Sequence, residues 1–233
     1  AVHHTKPWLA EWQVDDPRLV DQEINAIQSA RAKYIGGAAD WAQEVHLGGK
    51  AIRKSCGSFP SATAIGSDHV NVKDVEHLPD NGLEALGALF RECIGDLALP
   101  EQVLLNVMAT LGKKAGGCRT IAIIATLYRL LMKSLRGYGA QWDEEAAGFW
   151  DAAIAGSSAL RAQLLRSLEV ELAHAEGLEV LHFLWDMKKF HDSVRVAILV
   201  DRLVDLQYPP EMLVIGLIAH KAPRVLQVDH CTS

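Results

Sequence analysis

Two apolar runs, Leu104–Leu111 and Cys118–Ile124, stand on either side of Lys113-Lys114-Ala115-Gly116-Gly117. Paired glycines between two strand-like runs predict a β-hairpin, because glycine reaches the backbone angles a tight reversal demands. The hairpin is an exception in a chain whose other apolar residues mostly recur at helical spacing. Mixed α and β, with helices predominating, is the fold class this pattern implies.

Residues 1–15 show no periodicity and read as an extended arm. Val20, Ile24 and Ile27 follow Pro17 at helical spacing, and Gly36-Gly37 is expected to end that helix. A short helix is predicted over Ala38–His46, closed by Gly48-Gly49, and residues 55–79 read as loop. Asp80 is the expected N-cap of a helix with the stripe Leu83, Leu86, Phe90 and Ile94. Beyond the hairpin, helices are predicted over Thr126–Arg136 and Glu144–Ala155. Another starts near Ser158, with Leu160, Leu164, Leu168 and Leu172 as a core stripe and Gly177 as its stop. Val180–Trp185 reads as a strand that delivers Asp186. Asp192 or Ser193 is expected to cap a helix running to Gln207, a last helix spans Glu211–His220, and Val225–Val228 begins a strand.

The chain of 233 residues can bury a sizeable core, and 49% hydrophobic with 22% charged residues is ordinary for a globular protein. No apolar run approaches the roughly 20 residues that span a bilayer, so no membrane partner is expected. Cys56, Cys93, Cys118 and Cys231 are widely spaced, which suggests neither a zinc site nor a disulfide framework. A reducing intracellular compartment, cytoplasm or nucleus, is the expectation. The chain begins Ala1-Val2, as a processed start or a piece of a longer protein would. Net charge is −6, but between Gln102 and Trp142 there is no acid, and Lys113, Lys114, Arg119, Arg129, Lys133 and Arg136 contribute +6, leaving −12 elsewhere. Such a block suits phosphate; a plain solvated basic face fits it equally well. Gly48-Gly49-Lys50 lacks P-loop spacing, and Gly156-Ser157-Ser158 is a helix start rather than a nucleophile elbow.

Three blocks carry a resemblance. Ala62-Thr63-Ala64-Ile65-Gly66-Ser67-Asp68 is similar to an A-x-G-x-D-G entry. Residues 111–121 are similar to I-P-K-x-x-G-G-x-R-P-I, with Leu127-Tyr128-Arg129 after them. The stretch VLHFLWDMKKFHDSV sets Asp186 at the end of an apolar run. In this order they resemble the polymerase domain of LINE-type (non-LTR retrotransposon) reverse transcriptases, over roughly residues 60–233; residues 1–50 match nothing in that pattern. The resemblance implies an α+β fold, mostly helical, with a fingers β-hairpin and an incomplete palm sheet of a right-hand polymerase. It divides the chain into a helical N-terminal extension (1–55), a fingers-like region (56–175) and a partial palm with the first catalytic block (176–233).

Implied with it are RNA-directed DNA polymerase chemistry in the complete protein, an RNA template, a DNA primer and deoxynucleoside triphosphates. Nucleotidyl transfer must neutralise a triphosphate and hold the reacting oxygens in line. Lys113 and Arg119 match the cations of the fingers hairpin that folds over the nucleotide. Asp186, with the Met187 carbonyl, matches the hard oxygen ligands of Mg²⁺, making Asp186 the expected catalytic residue. His191 falls where the family carries the Phe or Tyr that excludes a ribose 2′-hydroxyl. Without the family pattern, Lys113-Lys114 would read as a solvated turn and Asp186 as a strand-end cap. Asp192 reads as an N-cap.

The departures are specific. Gly112 and Thr120 replace the hairpin prolines, and His191 replaces the aromatic wall, which leaves RNA-templated RNA synthesis open. Two-metal chemistry needs further carboxylates, yet the Tyr-x-Asp-Asp turn and the S-x-G-x-x-Q-G block are missing before Ser233. The chain alone is expected to be inactive. The alternative is a non-catalytic, helical protein-interaction relic of a decayed element, which the acid excess outside 102–142 favours.

Overall fold

The computed structural model describes residues 17–112, 118–148, 156–181, 194–228 and 231–232. Residues up to Arg136, together with those from Arg195 onward, group as one unit, and Gly137–Val194 as a second. The fold is mostly helical with a small mixed sheet. No described helix is long and apolar enough to cross a membrane.

The first unit opens with α1 (Pro17–Glu44), which runs straight through Gly36-Gly37, so the two helices expected there are one. Ile27, Ala30, Ala38 and Ala42 are buried along it. That face packs on α4 (Asp80–Gly95), α8 (Val196–Asp205) and α9 (Pro210–His220). Each helical glycine costs about 1 kcal/mol, and burial at about 0.8 kcal/mol per methylene along the whole face outweighs the pair. Arg31 ties α1 to the end of α4 by donating from Nε to the Leu97 carbonyl (3.1 Å) and from Nη2 to that of Asp96 (3.0 Å).

Two helices lie where a stop and a loop were expected. The first, α2 (Gly49–Gly57), has the N-cap Gly48, which offers no side-chain acceptor. Glu84 of α4 supplies one instead, its Oε1 accepting from Gly49 N at 2.7 Å. The second, α3 (Val72–Glu76), is capped by Asn71, whose side chain accepts from Lys73 N. Arg53 of α2 reaches Asp80 (2.6 Å) and the Leu78 carbonyl (2.8 Å), pinning the start of α4. The N-cap of α4 is Pro79, with Asp80 in its first turn, where its charge favours the positive end of the helix dipole. Of the stripe expected on α4, Leu83, Phe90 and Ile94 are buried and Leu86 is half-buried. Gly87 lies so close to the chain at Leu47 that a Cβ there would overlap the Leu47 carbonyl oxygen.

A short 3-10 turn (Glu101–Val103) leads into β1 (Asn106–Gly112) and β2 (Cys118–Ile123), the expected antiparallel pair. β3 (Arg224–Val228) lies parallel to β1, and β4 (Cys231–Thr232) is antiparallel to β3, giving the order β2-β1-β3-β4. Met108 and Leu226, opposite each other in the ladder, form a small buried cluster. α5 spans Thr126–Ser134, close to the expected helix. α9 has Pro210 at its start and is buried on nearly every side, from Met212 to Ile215 and at Leu217 and Ala219. A helix apolar all round belongs inside a core. The N-cap of α8 is Arg195, in extended backbone and without a side-chain cap; the expected caps Asp192 and Ser193 lie outside the described residues. Capping needs the residue immediately before the first helical turn, and the helix begins only at Val196.

In the second unit, α6 (Arg136–Ala146) starts eight residues before the helix predicted from Glu144. Gly137 and Gly139 obscured it, although Gln141 and Glu145 form an i,i+4 bond within it (2.9 Å). α7 (Ala159–Ala175) has the predicted bounds: Ser158 Oγ accepts from Arg161 N (3.1 Å), and Gly177 takes φ +74° beyond its end. Its leucines are not the expected core. Leu160, Leu164, Leu168 and Leu172 are all exposed. Neither described helix of this unit has a fully buried residue. The expected strand Val180–Trp185 falls largely outside the described residues.

Candidate nucleic-acid interface

The hairpin is rooted in the core. Asn106 is buried; its Nδ2 donates to the Ala219 carbonyl (2.8 Å) and its backbone N to that of Pro223 (2.9 Å). Along β1 the chain then leaves the interior: Met108 is buried, while Leu111 and Gly112 are exposed. The ladder runs from Val107–Ile123 out to Gly112–Cys118. Opposed residues share a face, so Val107 and Ala109 lie with Ile123 and Ile121, and Leu111 continues that face along β1. Leu111 and Ile121 are the exposed apolar members of that surface.

The sequence-predicted site residues distribute unevenly over this frame. Arg119 is in β2, opposite Leu111 at the outer end of the ladder; its side chain is not among those described. Lys113 falls between the ladder's last pair and, with Asp186, Met187 and His191, lies outside the described residues. Among the described residues no group of three or more His, Cys, Asp or Glu side chains could hold a metal ion. The fit of Mg²⁺ to Asp186 and Met187 therefore rests on the donor chemistry of those two residues.

The structure does bring two of the sequence blocks together. The Ala62–Asp68 segment is bound to the junction between β2 and α5 and to the approach to β1. Ser67 Oγ donates to the Leu105 carbonyl (2.5 Å), and Gly66 N donates to Thr126 Oγ1 (3.3 Å). A Cβ on Gly66 would come within 2.6 Å of the Ile124 carbonyl oxygen, so this approach requires glycine. Asp68 Oδ2 accepts from Leu127 N at 2.9 Å, in the first turn of α5. Ala125, the N-cap of that helix, has no side-chain acceptor, and Asp68 supplies both the acceptor and the negative charge a helix start favours. Arg129 closes the arrangement from the other side, its Nη2 donating to the Ala64 carbonyl (2.6 Å) and to Thr126 Oγ1 (2.8 Å).

This geometry changes the meaning of the basic block. Arg129 is committed to holding the 62–68 segment, and its Nε is buried without a hydrogen-bond partner. Lys133 lies over the Phe59 ring, 5.5 Å from its centroid. Arg136 is exposed. Part of the acid-free stretch therefore contacts the protein itself. Tyr128, between Leu127 and Arg129, is half-buried, and burial pushes its phenol up to about 12, with Tyr208 adding to the effect.

Sequence reading missed the Asp68–Leu127 and Arg129–Ala64 contacts, although it singled out both segments. The available signal was indirect: a helix start at Thr126 with no capping side chain just before it must find an acceptor elsewhere. Compared with known proteins, the chain matches no family model and no curated protein sequence.

Proposed function

We propose that the chain is the fingers and partial palm of a LINE-type retroelement reverse transcriptase, contacting template–primer RNA and DNA through its β1–β2 hairpin. The observation that carries this reading is the hairpin itself. It forms where the resemblance expects a hairpin, with position 119 in the ladder and residues 113–117 between the two strands in sequence. The binding of the 62–68 block to the start of α5, some sixty residues on, supports treating these blocks as one module.

In this reading Lys113 supplies a mobile point charge and Arg119 a planar fork for phosphate oxygens. His191 stands at the sugar of the incoming deoxynucleoside triphosphate. Mg²⁺, held by the Asp186 carboxylate and the Met187 carbonyl, would neutralise charge on the triphosphate in the complete polymerase. An intracellular setting, cytoplasm or nucleus, belongs to the same reading.

The test is fluorescence anisotropy of a labelled RNA–DNA primer–template across a salt series. Binding should weaken steeply with salt, and K113A/R119A should lower both affinity and slope by about two phosphate contacts. Salt-insensitive binding, or a double variant indistinguishable from wild type, would overturn the proposal.

A second reading, a non-catalytic interaction protein, is favoured by the exposed leucine face of α7. Partner recovery that survives nuclease treatment would support it.

A further inference from the structure

α7 turns its two faces to different surroundings. At 100° per residue, Ala162, Arg166, Val170 and Ala173 share one side, and these are its half-buried residues. Leu160, Leu164, Leu165, Leu168 and Leu172 occupy the opposite side, with exposures between 45% and 79%. The half-buried side carries two alanines, an arginine and a valine, while all five leucines lie on the exposed side. Single exposed leucines are unremarkable on a protein surface, whereas a contiguous stripe along four turns marks a contact surface.

The charges on that outer side show what fits it. Arg161 lies within the leucine stripe near its N-terminal end, and Glu171 borders it near the C-terminal end; both are exposed. If a second α7 is laid antiparallel so that Leu160 meets Leu172 and Leu164 meets Leu168, the same register sets Arg161 against Glu171, twice by symmetry. A parallel alignment sets Arg161 against Arg161 and Glu171 against Glu171. The stripe is self-complementary in one direction only, as a two-fold interface requires.

We infer that α7 is a homotypic docking surface on which a second copy of this chain packs antiparallel, leucine stripe to leucine stripe, with reciprocal Arg161–Glu171 pairs at its ends. This surface is independent of the polymerase reading and stands or falls separately from it.

Sedimentation equilibrium of the full chain over a concentration series tests it, with circular dichroism confirming that each variant keeps its helix content. A monomer–dimer equilibrium is expected. L164E/L168E should raise the dissociation constant more than about a hundredfold, since it places four carboxylates in the desolvated centre. R161E and E171R should each raise it about tenfold by turning attraction into repulsion. R161E/E171R, which restores opposite charges in the antiparallel register alone, should return to within about twofold of wild type. Four outcomes overturn the inference. A chain monomeric at every concentration has no such contact. A dimer indifferent to L164E/L168E uses another surface. A charge swap no better than its single variants rules out this register and direction. Loss of thermal stability in L164E/L168E at unchanged mass would instead assign the stripe to contacts within one chain.

Discussion

The two units of the chain are built from helices of similar quality and end in opposite conditions. In the first, Leu83, Ile94, Leu130 and Ile215 are fully enclosed, and α9 is buried on nearly every side. In the second, α7 has a side-chain N-cap and a left-handed glycine after its end, yet none of its residues is fully buried. Local signals are sufficient to define a helix, and they say nothing about whether its apolar stripe finds a partner. What makes the first unit a core is contact between segments distant in sequence: Glu84 on Gly49, Arg31 on Leu97, Asp68 on Leu127.

Truncating leucines in the two units gives the widest expected contrast. Leu130→Ala removes a fully buried side chain and should cost about 2–5 kcal/mol in denaturant unfolding. Leu160→Ala, at concentrations where the chain is monomeric, should stay within about 0.5 kcal/mol. Equal costs would erase the distinction between the units. Gly87→Ala forces a Cβ against the Leu47 carbonyl and should cost about 1–3 kcal/mol, read as a lowered Tm. A neutral result would mean that α4 and the Leu47 backbone can separate freely.

Glu84→Ala removes the acceptor for the first turn of α2 and should cost about 1 kcal/mol, with faster hydrogen exchange at Gly49 as the local readout. Gly37→Ala is the opposite case. A Cβ there meets open space inside a helix, so the change should stabilise by about 0.5–1 kcal/mol. A loss of stability at that position would indicate a contact that Gly37 avoids.

The smallest effect depends on pH. Burial raises the carboxyl pKa of Glu211 in the first turn of α9, outweighing the backbone hydrogen bond that lowers it. The folded chain therefore holds that proton more tightly than the unfolded chain does. The associated stability is fully present below the ordinary carboxylate pKa and is lost as pH rises through the shifted one. Glu211→Gln should leave the Tm unchanged near pH 4 and raise it near pH 8. A gain of equal size at both pH values would assign the effect to packing.

What the sequence revealed follows the same division. The hairpin, α5, α7 and the helix beyond Pro209 announce themselves through residues adjacent to them: paired glycines, Ser158, Gly177, Pro210. Gly36-Gly37 misleads because their cost is local while the packing that overrides it comes from α4, α8 and α9. α2 was hidden because its capping acceptor, Glu84, lies 35 residues downstream. At the candidate site the hairpin and the two blocks that meet at α5 were each visible. That Arg129 and Lys133 contact other parts of the protein itself was not, since charge counting cannot tell a committed cation from a solvated one.

The parallel pairing of β1 with β3 also bears on how the protein assembles. Asn106 bonds to Ala219, 113 residues later, and β3 follows only after the entire second unit. During synthesis the β1–β2 hairpin emerges with one ladder edge vacant, and the partner for that edge arrives more than a hundred residues later. Closing so long a loop is slow compared with helix formation. For that interval β1 offers unpaired backbone groups to any passing strand, so this edge is where chaperone contact or early aggregation would concentrate.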